Sequence, residues 1–109
     1  MTEVFLDKIT RLALAGRLIV STHADQELAN DEIEIDEVID GIANAIVVET
    51  YPDYHKGPCL LALIHTKNGD PIHALLGTST ANPDIAVLIT AYRPALDRWN
   101  GDFTKRVTR

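Results

Sequence analysis

The chain has 109 residues, 46% of them hydrophobic, with a net charge of −6 and a sequence pI near 5.0. That length allows one core and excludes two, and the apolar content excludes a disordered chain. The single cysteine, Cys59, excludes an internal disulfide and a cysteine metal cluster, and no apolar run approaches the ~20 residues that span a bilayer.

One domain is expected over 1–109, with an N-terminal helix over 1–16 and a basic tail over 95–109. The opening Met1–Asp7 stretch is acidic and has no basic segment followed by a long apolar one. No signal peptide and a cytoplasmic location are therefore expected. Phe5, Ile9 and Leu12 recur at i, i+4 and i+7, which predicts an amphipathic helix that Gly16 ends. Leu18-Ile19-Val20 suits a short strand. Thr22-x-x-Asp25 has the form of a capping box and predicts a second helix to about Asn30. Ile35, Val38, Ile39 and Ile42 form a third helical stripe that ends near Gly41 to Asn44.

The period then changes to two. Ile46 to Tyr51 reads as a strand stopped by Pro52, and Cys59 to His65 as a second. Lys67-Asn68-Gly69-Asp70 carries turn chemistry, Pro71 to Ser79 reads as the next strand, and Asn82-Pro83-Asp84 as the next turn. Ile85 to Tyr92 is the last strand, ended at Arg93-Pro94. Short connections between the later strands predict an antiparallel meander. The fold class expected is therefore α+β, with N-terminal helices packed on a four-stranded antiparallel sheet. The middle strands are apolar almost throughout, so both sheet faces should be covered, one by helices and one by a partner or the tail. Trp99 and Phe103, at i and i+4, would pin that tail from one face of a short helix.

Charge is segregated. No Lys or Arg occurs between Arg17 and Lys56, an interval holding Asp25, Glu27, Asp31, Glu32, Glu34, Asp36, Glu37, Asp40, Glu49 and Asp53. The end of the chain is the reverse, with Arg93, Arg98, Lys105, Arg106 and Arg109 against Asp97 and Asp102. A nucleic acid would be repelled by the first region and attracted by the second.

Several polar residues sit where secondary structure begins or ends. His23 follows a helix start, where an imidazolium is disfavoured and a neutral ring can act as a general base or simply bond locally. His73 and His65 alternate with leucines on strands, the usual setting of a packed core histidine. The histidines show no metal-ligand spacing, so no metal and no cofactor are expected. Tyr92 and Arg93 are neighbours on a strand and point to opposite faces unless the strand bulges. Arg93 can clamp a phosphate or carboxylate, or pair with Glu49 or Glu27 as a structural bridge. Ser21, Ser79 and Cys59 lie in no nucleophile elbow, and there is no phosphate-binding glycine loop.

Ser21-Thr22-His23-Ala24, Ile33 to Val38, Glu49-Thr50-Tyr51-Pro52, Pro58-Cys59-Leu60, Pro71-Ile72-His73 and Thr90-Ala91-Tyr92-Arg93-Pro94, followed by Trp99 and Phe103, resemble domain-of-unknown-function family 4258. The resemblance runs from about Ser21 to Arg106. It implies a distant relation to RelE-like and BrnT-like toxins, small prokaryotic proteins often encoded beside an antitoxin-like partner. The function so implied is a metal-independent endoribonuclease of toxin–antitoxin type, with RNA and an antitoxin-like protein as partners. On that implication Arg93 would stabilise the scissile phosphate, His23 or His73 would move the ribose 2′-hydroxyl proton, and Tyr92 would stack on a base. The family pattern has an arginine shortly after His-Ala, where this chain has Glu27. That departure, with the acidic pI, frames the alternative of a non-catalytic interaction domain that binds a partner protein or forms a homodimer.

Overall fold

The computed structural model describes residues 2–107; Arg109, counted above in the basic tail, lies outside the described residues. The chain runs α1 (Thr2–Leu14), β1 (Leu18–Val20), α2 (Thr22–Asn30), α3 (Ile35–Gly41), a 3-10 turn (Ile42–Asn44), β2 (Ile46–Tyr51), β3 (Cys59–His65), β4 (Pro71–Thr78) and β5 (Ala86–Tyr92).

The class is α+β, but the sheet has five strands and is mixed, in the order β1-β5-β4-β3-β2. This corrects the four-stranded antiparallel expectation. β2 to β5 form the expected antiparallel meander, and β1 joins its far edge parallel to β5, pairing Leu18 with Ala86 and Val20 with Leu88. Three residues are too few to show a period. β1 is a strand because β5 offers it an edge, and Ala86 N–H to Arg17 O (2.9 Å) and Ser21 N–H to Leu88 O (3.1 Å) extend the pairing at both ends.

α1, α2 and α3 cover one face of the sheet. Ile9, Ala13, Ala24, Leu28, Ile33, Val38 and Ile42 pack against Leu60, Ala62, Ile64, Ile72, Ala74, Leu76, Ala86, Leu88 and Ala91. Ala62, Ala74 and Ala91 stand opposite one another on three neighbouring strands, so the floor under the helices is low there. The register of β5 shifts between its pairings with Leu75 and Leu76, and Ile89 is the extra residue. This bulge lets Leu88 and Ala91, three apart, both face the helices, and it turns Tyr92 to the opposite face.

The helix ends are held by different residues than the capping pattern indicated. Ser21, not Thr22, caps α2: its Oγ accepts from Ala24 N–H (3.0 Å) and donates to Ile89 O (2.9 Å), tying the helix start to β5. A reciprocal capping box exists at α3, between Glu34 and Glu37. The end of α3 comes so close to β3 that only glycine fits. A Cβ on Gly41 would collide with the Ile64 Cγ2 methyl and lie 2.7 Å from His65 O. An alanine gains up to about 1 kcal/mol in helix propensity. The overpacking opposes it with about 1–3 kcal/mol, because half of the clash is with backbone. Gly41→Ala is therefore expected to lower the urea-unfolding midpoint, whereas alanine at an exposed helical glycine would raise it.

Candidate functional site: the open sheet face

The sheet face turned away from the helices carries Glu49 and Tyr51 from β2, Leu61 from β3, His73 and Leu75 from β4, and Thr90 and Tyr92 from β5. One end of this face is closed by the tail. Residues after Pro94 turn back on themselves, with Trp99 bridged to Arg106 and Val107 N–H donating to Arg98 O (2.8 Å). Trp99 is buried and Phe103 has a positive φ (64°), so the tail is a tight hairpin rather than the short helix expected from their spacing.

Under this hairpin His73 is fully buried. Its Nε2 lies 2.8 Å from Phe103 O, and its Nδ1 lies 3.1 Å from the Tyr92 hydroxyl. A main-chain carbonyl only accepts, so Nε2 carries the proton and Nδ1 accepts from Tyr92 O–H. Trp99 meets the imidazole edge-on, with ring centroids 4.3 Å apart. Burial pushes the His73 pKa down, against the Phe103 carbonyl and the Glu49 charge, which raise it. The ring is thus neutral, with both nitrogens engaged. Burial likewise holds the Tyr92 phenol above its ordinary value.

The hairpin is clasped to the far edge of the sheet by Arg106. Its Nε donates to Glu49 Oε2 (2.8 Å) and its Nη2 to Glu49 Oε1 (3.0 Å), while its guanidinium lies 4.7 Å from the centre of the Trp99 ring. Tyr51 O–H donates to Glu49 Oε1. The Arg106 hydrogen bonds hold the Glu49 carboxyl below its usual range and raise Arg106 in turn. Burial, reinforced by Glu49, raises the Tyr51 phenol.

Three linked hollows run along the open face. The first, about 390 Å³, is lined by Ser21, His23, Tyr54, Lys56, Ser79 and Ile89 among others. The second, about 220 Å³, is lined by Tyr51, Tyr54, Leu61, Leu75, Thr90, Tyr92 and Arg106. The third, about 380 Å³, is lined by Tyr92, Arg93, Ala95, Arg98, Trp99 and Arg106. Tyr54 joins the first two, and Tyr92 and Arg106 join the second to the third. Among the described residues no Asp or Glu lines any of the three, whereas a fourth hollow elsewhere is lined by Glu37 and Asp40.

The four residues singled out from the sequence do not share one cleft. His73 and Tyr92 meet, as described. His23 is exposed in the first turn of α2 and lines the first hollow. Arg93 sits at the other end of that helix, about 13 Å away for nine residues. Its N–H donates to Asp31 Oδ2 (2.8 Å), its Nε to Asp31 O (3.0 Å) and its Nη2 to Glu32 O (3.3 Å). It caps the helix C-terminus and pairs with neither Glu49 nor Glu27. Tyr92 and Arg93 both border the third hollow, although their side chains leave the strand on different sides. Tyr54, Lys56, Arg98 and Arg106 were not singled out. The signal for one of them was present: Glu49 and Tyr51, two apart on a strand, share a face and call for a cation opposite. Among the described residues, no three His, Cys, Asp or Glu side chains are placed to share a metal ion, and no helix is long and apolar enough to cross a membrane.

The His73 slot sets a pH dependence. Its folded pKa lies below the ordinary 6.5, so the unfolded chain binds more protons between the two values. Stability contributed there is present above pH 6.5 and is lost as pH falls through that window. Urea midpoints measured from pH 7.5 to 5 should fall, and the slope should be shallower in His73→Gln, which can still donate to Phe103 O but does not titrate.

Residues 20–93 match the model of a family described as a domain of unknown function (DUF4258), a shorter span than the resemblance to about Arg106 read from the motifs. No curated protein and no solved structure matches the chain. The matched span holds the helical layer from α2 onward, the whole meander and all four residues first singled out, while Trp99 and Arg106 lie beyond it. With more than half of its length matched, the chain belongs to this domain-of-unknown-function family.

Proposed function

We propose that this domain is a toxin-like, RelE-related module that binds single-stranded RNA along the open face of its sheet and cleaves it without a metal. The observation that carries this reading is the charge and chemistry of the three linked hollows. Among the described residues, their lining holds His23, Lys56, Arg93, Arg98 and the Glu49-paired Arg106 together with Tyr51, Tyr54 and Tyr92, and no Asp or Glu. Cations along a groove meet phosphates, and aromatic rings between them stack on unpaired bases. The net charge of −6 does not oppose this, because most of the acids cluster elsewhere and Glu49, on this face, is paired with Arg106. Asp25, Glu32, Glu34, Asp36 and Asp40 are exposed in or beside α2 and α3, on the other layer of the fold. That acidic layer suits a basic antitoxin-like partner and leaves the groove to RNA.

The cleavage step falls to His23. Unlike His73 it is exposed to solvent, and it lines the first hollow together with Lys56. A neutral imidazole there takes the proton of a ribose 2′-hydroxyl, and the 2′-oxygen attacks phosphorus. A 2′,3′-cyclic phosphate forms, and the departing 5′-oxygen takes a proton from water. Lys56 offsets the charge that builds on the phosphoryl oxygens. Phosphate stabilisation at the cleavage step thus falls to Lys56 rather than to Arg93, which sits at the opposite end of α2 from His23. His73, sealed under the tail, positions Tyr92.

The alternative, a non-catalytic binding module, differs in one measurable respect. Oligouridine should bind with a steep salt dependence, and Lys56→Ala should reduce the slope of log K against log salt by about 1. Cleavage in EDTA should fall by about a hundredfold or more in His23→Ala while RNA affinity is kept. Binding without cleavage in the unaltered protein selects the non-catalytic module. Absence of RNA binding overturns the proposal.

A further inference from the structure

We infer that the third hollow is a seat for a terminal phosphate monoester, so that the groove is specific for a phosphorylated end of its ligand. The inference deepens the RNA reading and rests on it for the identity of the ligand, but not for the seat itself.

The hollow is lined by three arginines, and their states differ. Arg106 is neutralised by Glu49, which takes two of its N–H groups. Arg93 is held by the main-chain carbonyls of Asp31 and Glu32. Those acceptors are neutral: they fix the plane of the guanidinium without cancelling its charge. The nearest carboxylate bonded to this residue, that of Asp31, accepts from its backbone N–H and does not line the hollow. The Arg98 side chain is exposed at the rim, makes no ion pair among the described residues, and borders the same space. Two guanidinium charges therefore face one hollow of about 380 Å³ with no Asp or Glu among the described residues of its wall.

Two uncompensated charges match a phosphate monoester, which carries between −1.5 and −2 at neutral pH, better than a diester, which carries one. Guanidinium groups suit this ligand: Arg98 can give two parallel N–H bonds to phosphoryl oxygens, and Arg93, with its Nε and one Nη2 N–H on carbonyls, keeps its Nη1 N–H groups for them. The position agrees with the charge. The hollow is the last of the three that are linked, and Tyr92 separates it from the tyrosine-lined second hollow. A terminal phosphate held by Arg93 and Arg98 would place the first base over Tyr92 and the chain toward Tyr54 and His23.

The chain contains one tryptophan, Trp99, and it lines this hollow, so occupancy has a built-in reporter. The experiment titrates the protein with uridylyl-uridine bearing a 5′-phosphate, with the same dinucleotide bearing a 5′-hydroxyl, and with uridine 5′-monophosphate, following Trp99 emission and its indole N–H resonance. The 5′-phosphorylated dinucleotide should saturate with at least tenfold higher affinity than the hydroxyl form. Arg98→Ala should abolish that advantage and Arg98→Lys should restore part of it; Arg98 is exposed, so neither change threatens the fold. If the mononucleotide binds as tightly as the dinucleotide, the seat holds and its ligand is a free nucleotide, which overturns the RNA reading alone. If the two dinucleotides bind equally, or if the advantage survives Arg98→Ala, the seat is overturned even where RNA binding persists.

Discussion

The constraint on which this fold turns is that its central strands are apolar on both faces while its helices cover only one. From Cys59 to Ile64 every residue is buried. The three helices seal Leu60, Ala62 and Ile64. Something else has to seal the other face, and at one end the tail does so by laying Trp99 across it. Burying an indole takes about 200 Å² of ring from water, the largest contribution one side chain can make. The remainder of the face stays open, and that is where the hollows lie.

His73 is the price of closing that end with a polar residue inside. A buried imidazole is tolerated only when both nitrogens are bonded, and the fold supplies one partner from β5 and one from the tail backbone. The arrangement links three parts of the chain that are far apart in sequence. It also makes Tyr92 a fixed wall between two hollows, because its hydroxyl is committed to His73. Glu49 and Arg106 do the same at the opposite edge, where the two-pronged bond fixes the geometry of a pair that stays partly exposed to water. The tail is thus a lid secured by a neutral hydrogen-bond relay on one side and a charged fork on the other.

This explains why residues of similar chemistry have unlike roles. His23 in the first turn of α2 and His73 within β4 carry the same side chain, yet one is in solvent and one is sealed. Arg93, Arg98 and Arg106 lie within fourteen residues of one another. One caps a helix with its charge intact, one stands at the rim, and one is neutralised by Glu49. Their difference is made by what each meets, and those partners come from α2, from solvent and from β2.

The helices and the meander were legible in the chain, because each rests on local rules: apolar spacing of 3.6 or 2, Asn68-Gly69 at a turn, Pro52 and Pro94 at strand ends. It also foretold that the second sheet face needed a cover and that Trp99 belonged to it. The short strand at Leu18–Val20 was legible too, but its place in the sheet, parallel to β5 at the edge, came from packing, since three residues carry no period that names a partner. Only the tertiary structure separated Arg93 from Glu49 and gave Glu49 to Arg106, fifty-seven residues away. Charge and hydrogen-bond partners are chosen by distance in space, and sequence spacing reports that distance only within a single helix turn or strand.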